Sequence, residues 1–175
     1  MKLVLDIPGS KKSITLRFIY YGIVALVLAV IKVVLLDLIA VSSITPDLIL
    51  ILVVWIALKE GQFVALFAGF ACGLLFDIVS IDVIGTNALT KTFVGLIAGW
   101  FYKENQADFT IGSFRFLGIV FLCSVVHNLV YNVFYIRPSQ IDFATFFLKY
   151  GLASSLYTTV IAVFPMFIKL RRKGF

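Results

Sequence analysis

Residues 61–100, GQFVALFAGFACGLLFDIVSIDVIGTNALTKTFVGLIAGW, read as two apolar helices joined by a tight turn at Ser80-Ile81-Asp82. Small residues recur every four positions: Gly61, Ala65, Gly69 and Gly73 on the first helix, Gly95 and Gly99 on the second. Lipid supplies no hydrophobic drive between helices, so rows of this kind matter because they let two backbones approach and pack by dispersion. Each row also meets a charge, Asp77 after Gly73 and Lys91 before Gly95. Four residues advance a helix by about 400°, so Gly69, Gly73 and Asp77 stay within about 80° of circumference. The charges therefore belong to the packing face, and the stretch reads as the core of a polytopic membrane protein.

The rest of the chain agrees with that reading. Of 175 residues, 62% are hydrophobic and 14% charged, with a mean hydropathy of +1.09. Soluble domains run at about 45–50% apolar and about 25% charged. The net charge of +6 does not point to nucleic acid, because the basic residues gather at the two ends: Lys2, Lys11, Lys12 and Arg17 against Lys169, Arg171, Arg172 and Lys173. That is a topology signal, with anionic membrane lipids as the simplest partner. Cys72 and Cys123 both fall inside apolar segments. They form no disulfide framework or metal spacing and read as small core residues.

Taken in order, residues 1–17 are a basic arm broken at Pro8-Gly9, and residues 18–36 the first spanning run. A secretory signal peptide is the rival reading, with Ala40-Val41-Ser42 as the cleavage site, but the apolar run exceeds an h-region of about 7–15 residues. The second helix is expected at 46–58, with Thr45 as N-cap, Pro46 at the first helical position and Asp47 in the first turn. The third covers 62–79 and the fourth 85–101, followed by a polar loop from Tyr102 to Ser113. The fifth covers 115–136, stopping before Pro138, and the sixth 145–168, with Pro165 as a candidate kink. The expected fold is thus an all-α bundle of six transmembrane helices, residues 18–168, between a basic arm and a basic tail at 169–175. An even number of crossings puts eleven Lys and Arg on the side of the termini and two, Arg137 and Lys149, on the other. By the positive-inside rule both termini are cytoplasmic.

Ionisable residues inside a membrane are expensive and each needs a reason. The expected pairing joins Asp77 to Lys91 across the hairpin, the competing reading being that each reaches headgroup water separately. Lys32 has Asp47 or Asp37 as partner, or snorkels outward. On the fifth helix Ser124, His127, Asn128, Tyr131, Asn132 and Tyr135 recur at three- and four-residue spacing, a polar stripe. Ser154, Ser155, Thr158 and Thr159 give the sixth helix a polar middle. Lys32, Asp47, Asp77, Asn87, Lys91, His127, Asn128 and Asn132 all map to the outer half of the bundle. They form either a polar cavity open to the outside or a self-neutralising packing core. His127 is the only histidine, so a metal site has no second imidazole to build on. No nucleophile elbow, metalloprotease helix, P-loop or dinucleotide fingerprint occurs. The chain reads as a non-enzyme without a cofactor.

Several short motifs carry a family resemblance: Pro46-Asp47-Leu48, Ala57-Leu58-Lys59-Glu60-Gly61, Gly69-Phe70, Gly73-Leu74 and Asp77, then Gly85, Asn87, Ala88, Leu89 and Gly95. Over nearly its whole length the chain resembles the rod shape-determining protein MreD family. The resemblance implies an inner-membrane, multi-pass component of the elongasome, the machinery of peptidoglycan synthesis that elongates rod-shaped bacteria. It implies work beside the single-span protein MreC, the actin-like MreB filament, RodA and a penicillin-binding transpeptidase. It also implies a fold similar to the substrate-binding subunits of energy-coupling-factor transporters. The leading expectation is a scaffold that binds MreC and contributes to cell shape. The alternative is a small-molecule, vitamin-type binding subunit that uses the polar outer half as its pocket.

Overall fold

The computed structural model describes residues 10–34, 45–80, 83–135 and 147–171. Asp37, the Ala40-Val41-Ser42 segment, the Ile81-Asp82 part of the expected turn, Arg137 and Pro138 lie outside the described residues. Among the described residues there are seven α-helices and one π-helical turn, with no strand. They are α1 (Ser10–Val34), α2 (Leu48–Glu60), α3 (Gln62–Ser80), α4 (Thr86–Gly99), α5 (Ala107–Ile111), α6 (Phe114–Tyr135) and α7 (Leu152–Arg171). The π turn, Phe147–Gly151, leads into α7.

Four of these helices, α1, α3, α6 and α7, contain runs of 19 or 20 residues long and apolar enough to cross a membrane. The other two expected crossings are shorter: α2 has 13 residues and α4 has 14, about 20 Å each at 1.5 Å per residue. The difference has a physical reason. α2 sits at the centre and touches all six other helices, burying Ile49, Leu50, Val53, Val54, Ala57 and Leu58 among others. A helix surrounded by protein can end within the membrane's depth, because neighbouring side chains satisfy its terminal backbone groups. At the other extreme α1 is peripheral, burying Ala25 and Ala29 while Leu16, Tyr20, Ile23, Val27 and Val30 stay exposed.

The closest pair is α3 and α4. A Cβ added to Gly69 would collide with the Lys91 carbonyl oxygen, one on Gly73 with the Asn87 carbonyl, and one on Gly95 with the Ala65 carbonyl. On Gly99 it would lie 2.5 Å from the Gln62 Cα. Two further glycines are conformational: Gly61 ends α2 at φ 92° and Gly85 precedes α4 at φ 101°, left-handed values that Gly adopts without Cβ strain.

The helix ends carrying Arg17, Lys59-Glu60, Asp108 and Lys169 meet at one end of the bundle. Arg17 pairs with Glu60 at 3.1 Å, and Asp108 receives Lys169 at 2.9 Å and Lys59 at 3.5 Å. Exposed aromatics outline the lateral surface, Phe63, Phe67 and Phe70 on α3, Phe164 and Phe167 on α7. In water such a surface would aggregate; in a bilayer it is the lipid face.

A candidate functional site at a buried ionic hub

Asp47 is the residue on which the helices converge. The helix begins at Leu48, two residues after the expected start at Pro46, and Asp47 is the N-cap in place of Thr45. Its backbone is extended (φ −97°, ψ 92°), and its Oδ1 accepts the N–H groups of Ile49 and Leu50, both at 3.1 Å. Aspartate is among the strongest N-caps and its charge suits the positive end of the helix dipole. Pro46 is buried just before it. The Asp47 N–H donates to Thr158 Oγ1 on α7 at 3.0 Å.

The same carboxylate collects side chains from three other helices, two lysines and an imidazole. Lys91 of α4 lies 2.9 Å from Oδ2, His127 Nε2 of α6 3.4 Å from Oδ2, and Lys32 of α1 3.8 Å from Oδ1. Lys91 is fully buried and also donates to Asn87 Oδ1 at 2.9 Å. The Phe76 ring of α3 lies 4.3 Å from the Lys32 nitrogen and 5.2 Å from that of Lys91, presenting its negative face to both. Five helices thus contribute to the setting of one aspartate. Removing one partner of a buried pair leaves an uncompensated charge and costs about 3–5 kcal/mol.

Asp77 does not pair with Lys91. It caps α4 from outside that helix, accepting Gly85 N–H at 2.9 Å, Asn87 N–H at 3.1 Å and Ala88 N–H at 3.2 Å. The bonds tie the end of α3 to the start of α4, while the adjacent Gly69 and Gly73 keep the two backbones in contact. With Lys91 held by Asp47, the second carboxylate is matched by the dipole of α4.

The polar stripe of α6 divides. His127 joins the hub and stacks on Tyr131 at 5.9 Å. Asn128 Nδ2 donates to Ser155 Oγ on α7 at 3.0 Å and to the Ser124 carbonyl at 2.9 Å. Asn132 is buried beside the π turn, with its Nδ2 near Gly151. The structure therefore brings Lys32, Asp47, Lys91 and His127 together, with Asp77 and Asn128 in adjoining networks. Three contributors escaped the sequence reading: Phe76, which an apolar helix hides; the Thr158 bond to Asp47; and Asp108, inside what reads as a plain polar loop. That loop contains α5, with Ile111 fully buried. Asp108 lies outside the spanning segments, and its hydrogen bond from Lys169, with the charges of Lys59 and Lys169, holds its carboxyl below the usual carboxylate range.

Chemically the hub sets one carboxylate against two ammonium groups and an imidazole, with the second carboxylate, Asp77, in the adjoining network, and these contacts join the helices. Among the described residues no three His, Cys, Asp or Glu side chains gather as metal ligands would. Compared with known proteins, residues 12–173 match the family model of the rod shape-determining protein MreD. No curated protein and no solved structure matches significantly.

Proposed function

The chain belongs to the MreD family of rod shape-determining proteins, and from that premise we propose that it is a non-enzymatic scaffold of the wall-elongation machinery. In this reading it sits in the bacterial inner membrane, binds MreC directly, and helps position MreB, RodA and the transpeptidase. α2 and α4 complete six crossings despite their length, and both termini face the cytoplasm. The bias of eleven basic residues against two supports that orientation.

The observation that carries the scaffold reading is the hub itself. Asp47, Lys91, Lys32 and His127 face one another, which makes the bundle a rigid block able to act through its lateral faces and short loops. A vitamin-type pocket would instead hold these groups apart around a ligand. Affinity purification of the tagged chain from its native membrane in mild detergent is expected to bring MreC with it. Depletion is expected to turn rod cells round. Recovery of the chain alone, together with a stoichiometric small molecule, would overturn the scaffold in favour of the binding subunit.

A further inference from the structure

A groove of about 570 Å3 runs along the bundle between α1 and α7, with α2 as its floor. On α1 it extends from Arg17 to Leu28, on α2 from Lys59 to Leu48, and on α7 from Lys169 to Ile161. Its shape follows from the hub. Lys32 pins α1 to Asp47 at 3.8 Å, and Thr158 pins α7 to the Asp47 backbone at 3.0 Å. The groove's lining runs between these anchors and the end of the bundle where Arg17, Lys59 and Lys169 lie.

Length decides what fits. Twelve residues of helix, from Leu48 to Lys59 or from Arg17 to Leu28, rise about 16 Å from end to end. Half of a hydrocarbon core of about 30 Å is about 15 Å. Its lining stops short of Lys32, Asp47 and Thr158 and is about one leaflet deep, whereas a partner's spanning helix needs the full thickness. Its walls are apolar, and Tyr20, Tyr21 and Trp55 line it, residue types suited to the interface between chain and headgroup. The mouth carries charge of one sign in excess. Arg17, Lys59 and Lys169 stand against Glu60 and Asp108, a balance of +1 that matches one phosphodiester. A zwitterionic head would add a cation of its own.

The geometry points to a specific lipid site: the groove takes an acyl chain of an anionic glycerophospholipid from the leaflet at the basic end, its phosphodiester held by Arg17, Lys59 and Lys169. This site is separate from the ionic hub and does not depend on which protein the scaffold binds.

The chain has two tryptophans, Trp55 in the groove and Trp100 elsewhere, 69% exposed. The full chain is reconstituted in phosphatidylcholine vesicles, with Trp100→Phe leaving Trp55 as reporter and Trp55→Phe leaving Trp100. Quenching is titrated with brominated phosphatidylglycerol or brominated phosphatidylcholine at equal mole fraction. At Trp55 the phosphatidylglycerol analogue is expected to act at several-fold lower mole fraction, while at Trp100 the two lipids act alike. Arg17→Gln, at a half-exposed side chain, is expected to weaken the preference about fivefold, the value of one cation near an anionic surface. Equal quenching by both lipids at Trp55 overturns the site. So does the same preference at Trp100, which would mean general attraction to the annulus. Loss of quenching at Trp55 only on co-reconstitution with MreC would assign the groove to a partner helix and overturn the proposal equally.

Discussion

Asp47 gathers a cap, a backbone bond, two cations and an imidazole, so its replacement tests the hub most sharply. Asp47→Asn keeps the volume but leaves Lys91 buried against an uncharged amide. It is expected to destabilise the bundle by about 3–5 kcal/mol. Lys91→Met added to it removes the stranded ammonium and is expected to recover most of that loss, a coupling that independent sites would not show. Asp77→Ala loses only a cap and is expected to cost about 1–2 kcal/mol. Exchanging Asp77 with Lys91 is not expected to restore stability, because the two do not form a pair. Unfolding by SDS titration in mixed micelles measures all four; a larger loss for Asp77→Ala than for Asp47→Asn would refute the hub. At this scale the sequence reveals which side chains are buried and charged, since each stands alone in an apolar run. It does not reveal who meets whom. Lys91 and Asp47 lie on different helices, and nothing in the periodicity of either fixes their relative rotation. Asp77 has its partners beyond a turn whose Gly85 takes a positive φ, a conformation visible only once the chain is folded.

At the scale of elements, the contact between α3 and α4 is set by backbone against backbone. Gly73→Ala and Gly95→Ala place a methyl group where a carbonyl already lies, so the helices must separate along their length. Each is expected to destabilise by about 1–3 kcal/mol. Gly22→Ala and Gly118→Ala meet nothing within 4 Å and are expected to be neutral or to stabilise by up to about 1 kcal/mol. The same SDS titration separates the two pairs. This contact is legible in advance because small residues at four-residue spacing form a face. α5 is not, since five residues are too few for any period to show. Its anchor, Asp108, has a lowered folded-state pKa. The stability it adds is present above the ordinary carboxylate value of about 4 and lost as pH falls through the folded value beneath it. Hydrogen exchange in residues 104–112 is therefore expected to rise at neutral pH in Asp108→Asn, and in the unaltered chain only below about pH 4. Its half exposure to solvent keeps the effect local to the loop.

For the whole molecule, the basic residues and the helix ends make one argument. Arg17, Lys59 and Lys169 come together through Glu60 and Asp108, so the first, second and last helices present the same end of the bundle to the same side. The count of crossings was harder to read, because hydropathy registers length while burial decides how much length a central helix needs. α2 is apolar on all sides and only 13 residues long, the mark of an element whose environment is other helices. If α2 and α4 still carry the chain across, Glu104, in the exposed segment before α5, and Lys173 share the cytoplasmic side, and Ser42 faces outward. Both native cysteines are buried and leave a silent background for labelling. In intact spheroplasts a membrane-impermeant maleimide is expected to modify Ser42→Cys and to spare Glu104→Cys and Lys173→Cys until the membrane is broken. Labelling of Glu104→Cys from outside would turn α4 into a helix that enters without crossing. The crossings would then number five, α1, α2, α3, α6 and α7, and Lys173→Cys would be labelled from outside as well; four spans, without α2 and α4, would instead spare Val83→Cys, an exposed position that six spans place outside.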